Sequence, residues 1–288
     1  MTKTDTAIPP KWELHIQIDD TTSTAADMLA LKTGLSKQRV KQAMQKGAVW
    51  ITRGKQTTRL RRSTRSLKLQ NEIHFYYDES VLAMEPTPCR LISDEEAYSV
   101  WYKPYGLRSQ GSRWGDHCTI HRWVELNMEP QRPTFIVHRL DRAATGLMLI
   151  AHRKGVATQL AKLFERRQIK KLYQAVVHGE YPVDAPARYI ETEIDGRIAK
   201  SRISGIQYDP SADRSLVDVA IDTGRKHQIR RHLREIGYPV VGDRMYGRKE
   251  DRIDLQLAAT QLAFENPIDS ENRTYRLPGE LMLSLFKK

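Results

Sequence analysis

Cysteine is nearly absent: the 288 residues contain only Cys89 and Cys118. They lack metal-cluster spacing and are too few for a disulfide framework, so neither a thiolate metal centre nor a disulfide-stapled fold is expected. No apolar run approaches the roughly 20 residues of a membrane span, and the first eleven residues lack the apolar core of a secretion signal. A cytoplasmic protein without a membrane partner is the expectation. The sequence has no Gly-rich loop ending in Lys-Ser/Thr, no His-Glu-x-x-His, no Cys-x-x-Cys and no Gly-x-Ser-x-Gly. Nucleotide hydrolysis, metal hydrolysis and serine chemistry are therefore unsupported, and no metal site is expected. Acid is also locally missing. Between Met28 and Asn71 there is no Asp or Glu, yet there are twelve Lys or Arg.

What is present describes a globular chain with a polyanionic partner. Apolar residues make up 40%, enough for one large domain or two modest ones. The net charge of +12 and pI near 9.6 suit nucleic acid or an anionic membrane surface. The one-sign stretch is the sharpest part of that signal, because an ordinary solvated face mixes both signs. It nominates Arg39, Lys41, Arg62 and Arg65 as phosphate contacts.

Residues 1–11 read as a frayed tail, with folding expected from about Leu14. Ser23 or Thr24 caps a helix through Leu31, with Asp27 as capping-box partner and Gly34 as its stop. Ser36 caps a second helix over 37–46, closed by Gly47. A strand over 48–52, a turn at Arg53-Gly54 and a strand over 73–77 follow. Here the chain resembles the small RNA-binding domain shared by ribosomal protein S-four, some tyrosyl-tRNA synthetases and several RNA-modifying enzymes. The matching residues are Gly34-Leu35-Ser36-Lys37-Gln38-Arg39-Val40, Gly47-Ala48-Val49 and Arg53-Gly54-Lys55. The family's Asn before the turn Gly is Arg53 here, and its closing Gly-Asp is Gln70-Asn71. The resemblance covers about 15–80 within a domain drawn at 1–85.

Pro86 and Pro88 mark a linker over 83–90, and a second domain is drawn at 90–288. A strand over 97–102 runs into Lys103-Pro104-Tyr105-Gly106. The polar loop 107–118 follows, in which Arg113 beside Trp114 offers charge and stacking to RNA. The organising stretch is 136–151, two apolar runs around the knot His138-Arg139-Leu140-Asp141-Arg142. It reads as strand, charged turn, strand, with the one carboxylate Asp141 ionised by the neighbouring guanidiniums. An Asp between two Arg also fits a plain structural ion pair, and the rest of the chain must decide.

Residues 155–167 form an amphipathic helix and 169–179 a strand with Lys171, Tyr173, Ala175 and Val177 on one face. Short strands with turns at Asp195-Gly196 and Asp209-Pro210 fill 181–215, and another strand spans 217–221. A helix is expected over about 225–236. Ile229, Leu233 and Ile236 form its buried stripe, with His227, Arg230, Arg231 and Arg234 opposite. Its start offers free N–H groups to an anion, phosphate or Asp141. Residues 254–264 form one more strand or short helix.

Taken together, residues 98–266 resemble the RluA-like RNA pseudouridine synthases. The matching motifs are Lys103-Pro104-x-Gly106, His138-Arg139-Leu140-Asp141 with Gly146-Leu147-Met148-Leu149, and Lys171-x-Tyr173-x-Ala175-x-Val177-x-Gly179. The closing motif runs from Thr223 through Arg230 to Leu233, then Gly237-x-Pro239, Gly242-Asp243 and Tyr246-Gly247. Ala144-Thr145 and Leu255-Gln256-Leu257 depart from the family pattern without touching the carboxylate. The resemblance implies isomerisation of uridine in RNA without cofactor or metal. It makes Asp141 catalytic, with Arg139, Tyr173, Arg230, His138 and Ile229 binding substrate. Arg139 would fill the space left by the flipped base, Tyr173 stack on it, and Arg230 pair with Asp141. It also implies an α+β catalytic domain, a mixed and largely antiparallel sheet, behind a small N-terminal α/β RNA-binding domain. The expected partner is RNA, ribosomal RNA favoured over transfer RNA, and the expected state a monomer. A glycosylase is the rival enzyme, though it usually wants a second acid that the knot lacks. A non-enzymatic RNA-binding or ribosome-assembly factor is the rival binder.

Overall fold

The computed structural model describes residues 9–285, so residues 1–8 of the expected tail lie outside the described residues. The chain divides into two compact units, Met1–Pro86 with Gln110–Trp123, and Thr87–Ser109 with Val124–Lys288. The boundary drawn from sequence leaves 110–123 with the second domain. In the structure that stretch belongs to the first unit, because buried Asp116 pairs with Arg59 at 3.0 Å and with Arg61.

The first unit contains β1 (Lys11–Gln17), α1 (Ala25–Thr33), α2 (Lys37–Gln45), β2 (Val49–Arg53), β3 (Gln56–Arg59), β4 (Glu72–Asp78) and the single turn α3 (Glu79–Leu82). The strands form an antiparallel sheet in the order β1-β4-β2-β3. The capping box is in place: Asp27 N–H donates to Thr24 Oγ1 at 3.2 Å, and that hydroxyl donates to Asp27 Oδ2 at 2.6 Å. Helix α1 ends at Gly34 in the left-handed region, and Ser36 caps α2. Met28, Leu29, Val40 and Met44 from the helices share a core with Val49, Ile51, Ile73 and Phe75 from the strands. Strand alternation therefore turns His15, Trp50, Thr52, Glu72, His74 and Tyr76 to the opposite face. Folding starts at Lys11, earlier than Leu14, because Trp12 stacks on Tyr77 at 5.0 Å.

The second unit contains β5 (Arg90–Asp94), β6 (Tyr98–Lys103), β7 (Phe135–Ile136), β8 (Thr145–Ala151), α5 (Lys154–Glu165), β9 (Lys170–His178), β10 (Arg188–Ile194), β11 (Arg197–Asp209), β12 (Arg214–Ile221), α6 (Gln228–Glu235), β13 (Leu257–Glu265) and β14 (Asn272–Arg276). Helix α4 (Ile120–Asn127) precedes β7. Eight strands line up as β10-β11-β12-β9-β13-β8-β6-β5, with β14 on β13 and β7 on β8. Every pairing is antiparallel except β13 with β8. This is the mixed, largely antiparallel α+β sheet expected from sequence. Two apolar clusters pack on it. Val156 and Leu160 of α5 join Tyr98, Val100, Leu147, Leu149 and Leu262, while Ile229 and Leu233 of α6 join Ala175, Val177, Val217, Val219 and Ile203.

Several local expectations change. The strand before the knot is only Phe135–Ile136, and 137–144 is irregular because side chains elsewhere take up its backbone groups. Residues 181–215 contain not only short strands: β11 runs for 13 residues through a bulge between Gly205 and Gln207. Helix α6 starts at Gln228, since the Gln228 side-chain oxygen accepts from Thr223 Oγ1 at 2.7 Å and Arg225 N–H at 3.0 Å, holding 223–227 as a loop. Its faces do not split into apolar and cationic halves, because Arg230 and His232 are buried with Ile229 and Leu233.

Candidate active site

The knot is held from beneath by two side chains. Ser109 Oγ donates to Leu140 O at 2.8 Å and accepts from Leu140 N–H at 3.0 Å. Lys103, fully buried, donates to the carbonyls of Pro104 (3.0 Å), Leu107 (2.9 Å) and Arg142 (3.3 Å). Burial pushes its ammonium down to about 7, against the pull of Cys89 and Asp141. Gly106 N–H closes on Arg142 O at 3.0 Å, and Ala144 N–H on Asp141 O at 3.2 Å. The Lys-Pro-x-Gly motif thus braces the turn that presents Asp141.

The Asp141 side chain, 31% exposed, lines a cavity of about 90 Å³. Tyr173 from β9, Arg139 from the knot, and Arg230 and Ile229 from α6 line it too, over an apolar floor of Ala144, Ile221 and Leu257. The guanidiniums beside Asp141 in sequence are not its partners among the described residues. Arg139 is exposed, and Arg142 Nε donates to Gly106 O at 3.3 Å. In a turn that is not helical, successive side chains diverge, so adjacency in sequence does not become contact. The groups that reach the carboxylate come from the far end of the unit: the Arg230 guanidinium, Nη1 at 3.4 Å, and the His227 imidazole, Nε2 at 3.9 Å.

Arg230 is itself clamped. Its Nε and Nη2 donate to the Asp243 carboxylate at 2.6 and 2.7 Å, a bidentate fork that leaves Nη1 for Asp141. Burial alone would raise the Asp243 carboxyl, but the Arg230 fork and the N–H groups of Tyr246 and Met245 outweigh it and hold it below the usual carboxylate range. The Asp243 and Asp141 carboxylates raise Arg230 despite its burial. The Tyr246 ring lies 5.0 Å from the Arg230 guanidinium, and its hydroxyl is 3.1 Å from His227 Nδ1. His227 caps α6 with φ +55, and burial lowers its pKa against the pull of Asp141. Asp243, Tyr246 and the approach of His227 to Asp141 were not singled out from sequence. The signal for Asp243 and Tyr246 is Gly242-Asp243 and Tyr246-Gly247 in the closing motif, and that for His227 is its place on the cationic side at the start of the helix.

Tyr173 is half-buried, and burial and Asp141 both raise its hydroxyl pKa. Among the described residues that hydroxyl makes no hydrogen bond, so the ring is what Tyr173 offers the cavity. His138 does not join the group. Its Nε2 accepts from Leu149 N–H at 2.9 Å and its ring stacks on Phe164 at 4.3 Å. Burial, then Lys171, pushes it down to about 3, so it is a neutral brace between knot and sheet.

The expected RNA contacts lie in the first unit. Lys41, Arg62 and Arg65 are exposed. Arg39 is engaged by Glu79 at 2.8 Å and by the Tyr77 hydroxyl, and Arg113 pairs with Glu13 at 3.5 Å. No helix among the described residues is long and apolar enough to cross a membrane.

Residues 97–235 match the family model of RNA pseudouridylate synthases. A relative from Chloroflexus aurantiacus, an RNA pseudouridine synthase, is 34% identical over 59% of this chain, which spans 58% of that relative's length. The dual-specificity RNA pseudouridine synthase RluA of Vibrio parahaemolyticus is 31% identical over 57% of this chain and 73% of its own. The solved structure of human RNA pseudouridylate synthase domain containing 1 shares the fold, with TM-score 0.57 at 22% identity over 68% of this chain and 86% of its own.

Proposed function

Because this chain belongs to the RNA pseudouridylate synthase family, we propose that it converts specific uridines of structured RNA into pseudouridine, with Asp141 as the catalytic carboxylate. The observation that carries the assignment of Asp141 is its place at the cavity, facing the one nitrogen of Arg230 that Asp243 leaves unused. In the reaction the bond from ribose C1′ to uracil N1 breaks, the base turns, and C1′ bonds to C5. The proton leaving C5 balances the one gained at N1, so no cofactor or metal is called for. The target nucleotide leaves its stack at a cost of roughly a few kcal/mol. Arg139 fills the gap, the uracil stacks on Tyr173 and rests on the apolar floor, and Asp141 attacks the sugar or takes its proton.

The first unit serves in this reading as an S-four-type RNA grip through its exposed Lys41, Arg62 and Arg65, and the resemblance to family members that carry such a domain favours large-subunit ribosomal RNA over transfer RNA as substrate. The enzyme works as a cytoplasmic monomer. The test uses total RNA from cells lacking the gene, with pseudouridine mapped after incubation. Wild type modifies a defined uridine, and Asp141→Asn binds the same RNA while losing turnover on the order of 10⁴-fold or more. Release of free uracil would instead identify a glycosylase, and absence of isomerisation on every cellular RNA would identify a binding protein.

A further inference from the structure

The outward face of the first unit's sheet brings together three residues that no sequence motif connects. β1 and β4 pair so that His15 stands opposite His74, their Nδ1 atoms 2.7 Å apart. Glu72 lies on the same face two residues before His74, its Oε1 3.9 Å from His74 Nδ1. The ligand atoms of His15, Glu72 and His74 all lie within 4.8 Å of one another.

The opposite edge of the His74 ring already has a hydrogen-bond partner, and that of His15 looks towards a carboxylate. His74 Nε2 is 2.6 Å from Thr52 Oγ1, which is in turn 2.8 Å from Thr57 Oγ1. His15 Nε2 is 3.9 Å from Glu13 Oε1. In the tautomer that carries the proton on Nε2 of both rings, the two Nδ1 lone pairs face each other and the Glu72 carboxylate. Two lone pairs so close repel unless a proton or a cation sits between them. A hydroxyl or carboxylate on the distal nitrogen is the arrangement that orients a metal-binding imidazole.

We propose that His15, Glu72 and His74 form a binding site for a divalent transition metal, with Zn²⁺ as the ion that two imidazoles and one carboxylate suit. Two nitrogens and one oxygen leave a fourth, solvent-facing position for water. Mg²⁺ and Ca²⁺ prefer all-oxygen shells and are not candidates. Zn–N bonds of 2.0–2.1 Å at a tetrahedral angle separate the nitrogens by about 3.3 Å. The rings must therefore part from 2.7 Å, which the 42% exposure of the His15 side chain permits. The site clips edge strand β1 to β4 across a long stretch of chain, so its expected role is to stabilise the first unit. It is independent of the cavity around Asp141.

The test uses the full-length chain without an affinity tag. Zn²⁺ binding is read by competition with a chromophoric chelator, and geometry by Co²⁺ absorbance. Wild type is expected to bind one equivalent of Zn²⁺, to give the intense visible bands of four-coordinate Co²⁺ and to melt at a higher temperature with Zn²⁺. His15→Ala and Glu72→Gln, both partly exposed, should weaken that equivalent at least about tenfold while isomerisation stays unchanged. Thr52→Ala should weaken it about tenfold by freeing the His74 ring. If the His15→Ala/Glu72→Gln double variant binds as much Zn²⁺ as wild type, or if wild type binds none, the proposal is overturned. Binding of Cu²⁺ or Ni²⁺ without Zn²⁺ overturns the choice of zinc.

Discussion

Arg230 divides its guanidinium between two carboxylates, giving the fork to Asp243 and a single nitrogen to Asp141. The clamp is buried and the contact with Asp141 opens to solvent, so rigidity on one side sets geometry on the other. Asp243→Asn should lower kcat roughly 10²-fold, the cost of about 1 Å of misplacement, with RNA affinity unchanged. Breaking a buried pair should also cost about 3 kcal/mol of stability. Single-turnover kinetics and urea unfolding separate the two effects. A variant that unfolds more easily but isomerises at the wild-type rate would show that the clamp serves the fold alone. His138 makes a different prediction. Its pKa is about 3 in the fold against 6.5 when unfolded, so between those values the unfolded state binds more protons. Stability therefore falls as pH drops from about 6.5 towards 3. His138→Gln should flatten that decline, read as urea midpoints at pH 7 and pH 5. Equal declines in both proteins would rule His138 out as the cause.

At the scale of elements, the site depends on β13 arriving between β9 and β8, since this seats Leu257 in the cavity floor. Gly146 permits that arrival. It has φ +110, and a Cβ there would lie 2.3 Å from Ala259 O and 2.4 Å from Ala259 N. Gly146→Ala should cost about 2 kcal/mol or more, because strain and a backbone collision add. Gly34→Ala is the matched control. It has φ +72 with nothing within 4 Å, so it should cost only about 1 kcal/mol. Thermal unfolding of both variants checks the contrast, and equal losses would mean that φ, rather than the approach of β13, decides.

For the whole molecule, the charge of +12 matters through what is free to meet phosphate. Arg39 and Arg113 are exposed but paired with Glu79 and Glu13, whereas Lys41, Arg62 and Arg65 are exposed with no ion pair among the described residues. Replacing the last three with Ala should reduce the slope of log affinity against log salt by about 2, at roughly 0.7–0.9 per lost phosphate contact. Fluorescence anisotropy with a structured RNA fragment measures it. An unchanged slope would remove the first unit as the RNA grip.

Local order was legible because it is local. The capping box at Thr24, the stops at Gly34 and Gly47, and the alternation of 170–178 depend on neighbours a few residues apart, and the order of the motifs carried the resemblance to the family and, through it, the sheet class. The site was only partly legible. Asp141, Arg230, Tyr173, Arg139 and Ile229 were nominated and meet at one cavity, whereas His138 was nominated and turns inward as a brace. The sequence by itself determined which side chains were on hand, their charges and the elements that carry them. Tertiary structure alone decided which charge meets which. Asp141 takes its cation from α6 rather than from the arginines beside it, Asp243 disciplines that cation, and His15 meets His74 across a strand pair. The reason is physical: side-chain contact is set by strand order, register and burial, and these pair residues that the linear chain keeps far apart.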